Sequence, residues 1–456
     1  MLDHRKDTNK STKRKMTPRG RGMLLKRSPI RAPYVSYCVV LVVTMTMLLT
    51  AFYVNSPTPN GIKNPWKYRC FLAGKRVVAD MAKVLSLLTS TSYVNNFRFL
   101  MDIFVRPTPL EMPGSNIRAS VTTFGGVKVR LYQPIRREPG RGPALVYAHG
   151  GAFAIGSAAS FDPVTRRIAE ALNCTVVSVD YRLAPEHPFP AAFEDILNAS
   201  KWFMDHAHDF GVDRSRIGIA GDSAGGTLAA VVSQELHDDP AYPDFAFQAP
   251  IYPLTQLIDS LTPGTLHSKH HFGRDGSIVT WDEAAMFCSL YLTGGEHARL
   301  QLALIRNVHV AMEFRRSDAP QLKYVNHSLL PPRLRSYDFL TPSSSHVNHG
   351  HLSEAEGVWK EIKDKVLDPR VCPLMRHNMG GLPPTFVATC EYDAVRDHGI
   401  FYAMRLREAG VRVRWEHYDG GFHGVLGPSW PFEFEVGEQM FHDFGDFATE
   451  HLKLKS

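Results

Sequence analysis

The sequence predicts one large α/β domain, with a mostly parallel central sheet flanked by helices, a helical cap and an N-terminal transmembrane helix. Three observations carry that expectation. From Ser120 onward short continuous apolar runs alternate with helical patterns, as do strands buried on both faces and joined by crossover helices. Between Pro253 and Pro383 the alternation breaks down into His-rich and Pro-rich patches, which reads as an insertion over the sheet. Before all of this lies a long uncharged apolar run that follows a strongly basic segment.

The chain has 456 residues and a formal net charge of +7. Its distribution matters more than its sum. Eleven basic residues between Met1 and Arg31 face only Asp3 and Asp7, so this segment alone carries +9. The remainder is −2, which gives a nucleic-acid-binding surface no global electrostatic support. With 44% hydrophobic and 21% charged residues, disordered and fibrous classes are excluded. Six cysteines and no fixed-period repeat exclude a disulfide scaffold and a solenoid.

Residues 1–33 form the basic tail. Ala32 to Ile62 then carries no charged side chain, and its apolar part, 34–54, has the length of a helix spanning the ~30 Å hydrocarbon core. Tyr34, Tyr37, Phe52 and Tyr53 fall at its ends, where aromatic rings favour the headgroup boundary. The preceding segment is too long for a secretory n-region, so a retained signal-anchor is expected rather than a cleaved peptide. The positive-inside rule leaves the basic tail in the cytosol and everything after Asn55 in the lumen or outside the cell. Asn173, Asn198 and Asn326, each in an acceptor tripeptide, become candidate glycosylation sites on that side. Cys38 lies in the span. Cys70, Cys174, Cys288, Cys372 and Cys390 face an oxidising compartment, and because five is odd at least one stays unpaired.

Residues 55–110 read as linker and cap helices. Val77, Met81, Val84, Leu85 and Leu88 recur at helical spacing, which suits a core-facing helix or one covering an active-site mouth. Residues 111–456 form the main domain, with the insertion at about 254–382. Val121–Phe124 and Val127–Tyr132 bracket Gly125-Gly126 as a hairpin. Strands follow at Ala144–Ala148, Thr175–Val179, Ile217–Ala220, Phe245–Ile251, Thr385–Thr389 and Val411–Glu416.

Chemistry concentrates at the ends of these strands. Gly221-Asp-Ser-Ala-Gly225 follows one strand and opens a helical pattern, the setting of a G-x-S-x-G elbow that exposes the hydroxyl of Ser223 as a nucleophile. His149-Gly150-Gly151-Ala152 follows another strand, where backbone N–H groups with that of Ala224 suit a tetrahedral oxyanion. His423, between glycines in Gly420-Gly-Phe-His-Gly424, is the expected base. Asp393 is the expected orienting acid, with Asp397, Asp419 and Glu391 as rivals, and the order Ser, Asp, His is that of α/β-hydrolases. His346, His349 and His351 fit no zinc spacing, so no metal is expected. Arg182 of Asp180-Tyr-Arg-Leu-Ala-Pro-Glu186 is expected in an internal ion pair.

Together with Asp393-Ala-Val-Arg-Asp397, these motifs resemble the hormone-sensitive-lipase family of α/β-hydrolases, over roughly Ser120 to Leu454. The anchor resembles that of the arylacetamide-deacetylase and neutral-cholesterol-ester-hydrolase branch. The resemblance implies a triad of Ser223, Asp393 and His423, oxyanion donors from Gly150, Gly151 and Ala224, and no cofactor. It also implies a glycosylated single-pass protein of the endoplasmic reticulum membrane with a lumenal catalytic domain. Ala152 departs from it, since animal relatives commonly carry a third glycine there.

The expected function is a membrane-anchored serine hydrolase cleaving small-molecule or lipid esters or arylacetamides through an acyl-enzyme, with no nucleic-acid partner. Hydrolysis of cholesteryl or acylglycerol esters is the alternative within the class. A catalytically silent binding module is the alternative outside it. Oligomeric state is left open.

Overall fold

A computed structural model describes residues 31–104, 109–135, 142–273, 276–337, 352–427 and 432–454. The chain divides into two units, Met1–Phe52 and Tyr53–Ser456. Helix α1, Arg31–Val54, accounts for the described part of the first unit, and its side chains from Val39 to Phe52 are exposed on every face. The expected span falls on this helix, but the side chains of residues 31–36 and Cys38 lie outside the description. Among the described residues no helix is long and apolar enough to cross a membrane, so the expected transmembrane helix at 34–54 is not met there. The glycosylation candidates Asn173, Asn198 and Asn326 are exposed in the second unit.

Among the described residues, that unit is built on eight strands in the order β1-β2-β4-β3-β5-β6-β7-β8. They are β1 Ile117–Phe124, β2 Val127–Pro134, β3 Gly142–Ala148, β4 Thr175–Val179, β5 Val212–Asp222, β6 Gln248–Ile251, β7 Thr385–Tyr392 and β8 Val413–Phe422. The β1/β2 hairpin turns at Gly125-Gly126, β2 runs antiparallel to β4, and all later pairs are parallel. The continuous apolar runs have a direct cause. In β3, Ala144, Val146 and Ala148 pack into one core cluster while Leu145 and Tyr147 pack into the other. The period-two alternation is present, but both faces are covered, so both alternating sets are apolar.

The helices that matter for the site are few. Helices α2, Pro65–Leu88, and α3, Tyr93–Phe104, form a hairpin through Val78, Ala79, Ala82, Phe97 and Leu100. Helices α4, Asp162–Leu172, and α5, Ala191–Asp205, follow β3 and β4, and α6, Ala224–His237, leaves the end of β5. The expected insertion contributes no strand among the described residues. It contributes helices, including α7, Pro263–Phe272, and α8, Trp281–Thr293, which starts with a Thr280–Glu283 capping box. The Asp180–Glu186 motif is structural as expected, because Arg182 lies 2.8 Å from the buried Asp195 carboxylate. His346, His349 and His351 lie outside the described residues.

Candidate active site

The turn between β5 and α6 holds Ser223 at φ 55 and ψ −122, a conformation that costs a non-glycine residue about 1–3 kcal/mol. The residues two positions away on either side must be glycines. A Cβ on Gly225 would sit 2.0 Å from the Ala148 carbonyl oxygen, and one on Gly221 would sit 2.3 Å from that of Gly225. The elbow thus pushes the Ser223 hydroxyl past the end of the sheet.

Two further strand ends converge on it. His423 directly follows β8, and its Nε2 lies 2.8 Å from Ser223 Oγ. Asp393 directly follows β7, and its Oδ2 lies 2.8 Å from His423 Nδ1. The other Asp393 oxygen accepts from the Val395 N–H at 2.8 Å, which fixes the carboxylate plane. Both groups are buried. Burial alone would lower the imidazole pKa, but the charge and hydrogen bond of Asp393 outweigh it and raise the value above the ordinary 6.5.

The rival acids are committed elsewhere. Asp397 pairs with Arg396 at 2.8 Å and accepts from the Gly264 N–H. Asp419 is exposed and lies 3.1 Å from Arg333. Glu391 accepts from His417 Nε2 at 2.9 Å; burial would raise its carboxyl, yet the His417 hydrogen bond and the Arg396 charge hold it at about 2. Ligand atoms of Glu391, His417 and Asp419 come within 4.8 Å of one another. Their negative charge is already matched by Arg333 and Arg396, which makes the cluster an ion-pair knot.

The Gly150 expectation requires correction. Its N–H donates to Asp222 Oδ1 at 2.9 Å, and Tyr147 donates to the same oxygen at 2.8 Å, so this amide is not free for an oxyanion. The N–H groups of Gly151, Ala152 and Ala224 have no acceptor among the described residues. Gly151 has φ +119, and a Cβ there would meet the Ile155 carbonyl oxygen at 2.0 Å. Ala152 follows at φ 53, so the position where relatives carry glycine is left-handed here as well. His149 plays a supporting part. It stacks on Tyr181 at 4.3 Å and its Nδ1 lies 2.7 Å from the Gly150 oxygen, while burial lowers its pKa.

Asp222 is the group that residue-by-residue reading passed over. Its one signal is its place directly before the serine. Burial raises its carboxyl to about 6 against the hydrogen bonds from Tyr147 and Gly150.

A cleft with about 470 Å³ of empty space, part of it open to solvent, lies over Ser223 and is lined by Ala152, Phe153, Leu254, Val279, Ala284, Phe287 and Cys288 beside Asp393 and His423. Much of this apolar wall is α8 and its approach, so the insertion shapes the pocket. All five cysteines from Cys70 onward are unpaired thiols, four of them buried.

Comparison with known proteins follows the same lines. A family model described as alpha/beta hydrolase fold matches residues 145–319 and 307–427. Arylacetamide deacetylase of Mus musculus is 35% identical over 420 residues, covering 90% of this chain and 98% of that one. Neutral cholesterol ester hydrolase 1 of Bos taurus is 31% identical over 430 residues, covering 91% and 100%. Among solved structures, a hyperthermophilic esterase from the archaeon Pyrobaculum calidifontis superposes with a TM-score of 0.58 at 26% identity, covering 86% of this chain and 99% of its own. The chain therefore belongs to the α/β-hydrolase family, in its hormone-sensitive-lipase-like branch, and is a serine ester hydrolase.

Proposed function

We propose that the protein is a membrane-anchored serine hydrolase that cleaves carboxylic esters or arylacetamides through an acyl-enzyme. One observation carries the reading: an unbroken chain of 2.8 Å contacts from Ser223 Oγ through His423 to Asp393, under an apolar cavity. His423 Nε2 takes the Ser223 proton as Oγ attacks the carbonyl carbon. The developing oxyanion is held by the N–H groups of Gly151, Ala152 and Ala224, each worth about 3 kcal/mol. His423 then returns the proton to the departing alcohol or amine, and the acyl group stays on Ser223. A water deprotonated by the same imidazole attacks the acyl-enzyme, releases the acid and restores Ser223. None of these steps calls on a cofactor.

Ser223→Ala should lower turnover on p-nitrophenyl acetate on the order of 10⁶-fold while circular dichroism and the unfolding midpoint stay unchanged. Esterase activity persisting in that purified variant would sink the assignment. A second reading, hydrolysis of neutral lipid esters, is favoured by the apolar lining of the cavity and by the likeness to neutral cholesterol ester hydrolase 1. Rates on short esters, long-chain esters and arylacetamides separate the two. The anchor at 34–54, endoplasmic reticulum residence and glycans at Asn173, Asn198 and Asn326 belong to the same proposal, supported by the charge asymmetry and the exposed apolar face of α1.

A further inference from the structure

The oxyanion loop carries backbone strain, so contacts from outside it must hold its shape. Gly151, Ala152 and Phe153 stand in succession at φ 119, 53 and 61, and for the last two, which have a Cβ, the left-handed region is unfavourable. Such a run persists only where its surroundings over-determine it. Part of the turn is self-contained, since the N–H groups of Ala154 and Ile155 both donate to the Gly151 carbonyl, at 3.0 and 2.8 Å. Those two bonds close the turn without fixing where it points.

The fixing contact comes from a helix more than fifty residues earlier. Arg98 of α3 spans the loop and the Asp180–Glu186 motif with one guanidinium: its Nε donates to the Ala154 carbonyl at 2.6 Å and its Nη2 to the Ala184 carbonyl. Its Nη1 lies 2.9 Å from Glu186 and 3.0 Å from Asn95 Oδ1. Ala154 and Ala184 are both fully buried, and among the described residues no other donor reaches either carbonyl. The Ala184 N–H in turn donates to the Phe153 carbonyl at 2.9 Å, so loop and motif are joined in both directions. Packing holds the helix that carries Arg98. Val78, Ala79, Ala82, Phe97 and Leu100 of the α2–α3 hairpin pack with Ile155, whose carbonyl oxygen would lie 2.0 Å from a Cβ on Gly151.

We propose that Arg98 is a positioning residue for the oxyanion hole. Its planar guanidinium holds the Ala154 and Ala184 carbonyls together and so keeps the unbonded N–H groups of Gly151 and Ala152 at the cleft beside Ser223. Arg98 itself does not line that cleft. Removing it leaves two buried carbonyls unpaired next to a strained turn, and the turn relaxes to repair them. Lysine is no substitute, because one ammonium lacks the fork that reaches two oxygens in a fixed geometry. The inference rests on the serine-hydrolase reading for its catalytic consequence, but not for the holding of the loop.

Two measurements on the full chain test this, with Arg98→Gln and, as the variant that keeps a cation facing Glu186, Arg98→Lys. In the first, kcat on p-nitrophenyl acetate per folded molecule should fall about 10²-fold in both, as when an oxyanion donor is lost or displaced, with KM little changed. A trifluoromethyl ketone, which Ser223 would convert into a tetrahedral oxyanion, should lose affinity by the same factor as kcat/KM. A merely structural role would lower the amount of folded enzyme and leave kcat per folded molecule and inhibitor affinity at the wild-type values. That result overturns the proposal, as does wild-type kcat in Arg98→Lys, which would mean that a point charge suffices. In the second, amide hydrogen exchange of residues 149–156 should be faster in Arg98→Gln than in the wild type, while β3 and α6 keep their protection. An unchanged loop, or faster exchange spread equally over β3 and α6, overturns the holding of the loop. A wild-type chain inactive on esters whose loop nonetheless loosens in Arg98→Gln would leave the positioning standing and refute the hydrolase reading.

Discussion

His423 faces two demands that oppose each other in pH. Its raised pKa places the acid limb of kcat/KM above 6.5, because the imidazole must be neutral to accept the Ser223 proton. The same raised value stabilises the fold: the ion pair with Asp393 contributes fully below the unfolded value, and the contribution is lost as pH rises through the folded one. Activity is therefore gained over the pH range in which this increment of stability is surrendered. Asp393→Asn separates the effects. Burial, which lowers the pKa, is then opposed only by the smaller effect of the Asp222 charge, so the acid limb should move to lower pH while turnover falls roughly 10⁴-fold. The pH dependence of kcat/KM on p-nitrophenyl acetate reads this directly, and an unmoved limb would mean that another acid sets the base. At this scale the elbow of Ser223 and the loop of His423, the candidate nucleophile and base, were legible because the local chain demands glycines around them. Gly150 was misread for the converse reason. Nothing adjacent in sequence shows that its N–H is claimed by Asp222, 72 positions away.

Among the elements, α4 is tied to the sheet by one buried carboxylate. Asp162, the first residue of α4, accepts from Arg130 Nε and Tyr132 OH of β2, both at 2.8 Å, and from Arg166 Nε one turn on, at 3.0 Å. It is fully buried, and its place at a helix N-terminus adds to the attraction. Asp162→Asn keeps the shape but removes the charge shared by two buried guanidinium groups, which should cost about 3–5 kcal/mol. A lower urea midpoint with an unchanged m-value, and wild-type kcat/KM in the molecules still folded, is the expected result. A midpoint unmoved by the substitution would show that the arginines are compensated without it. Elements were legible wherever burial is two-sided, as in β3 and β4, whose runs match the observed strands to within two residues. Strand β6 starts later than its apolar run, although the residues before it already bond to β5: the Ala246 N–H donates to the Ile217 carbonyl and the Phe247 carbonyl accepts from the Ile219 N–H. The insertion was legible as a loss of rhythm, with helical periodicity at Trp281–Leu292 where α8 lies. Its helices owe their burial to contacts with a distant sheet, and α8 gives no local sign that Ala284, Phe287 and Cys288 face the pocket.

For the whole molecule, the proposed anchor makes the side of the membrane that the catalytic unit faces the decisive variable, and the proposal assigns that choice to the charge at one end. The excess of basic residues before Arg31 opposes translocation of the tail, whereas the nearly neutral body offers no such barrier. Asn173, Asn198 and Asn326 would report the outcome, since all three are exposed and all follow α1, while Asn9, in the acceptor tripeptide Asn9-Lys10-Ser11, precedes it in sequence. Asn198 is the informative one. It lies within α5, and the hydroxyl of its acceptor Ser200 is buried and bonded to the Ile196 carbonyl at 2.7 Å, so a glycan there must be added before α5 packs. Expressed in cells with a secretory pathway, the full chain should resist extraction by alkaline carbonate and lose mass in three steps as Asn173→Gln, Asn198→Gln and Asn326→Gln accumulate. Asn9→Gln should change nothing. Neutralising the tail, with its lysines and arginines changed to glutamine, should scramble orientation and leave a fraction of chains unglycosylated on the body and modified at Asn9. A tail-neutralised chain that keeps its full set of body glycans would show that orientation is set by something other than the charge asymmetry.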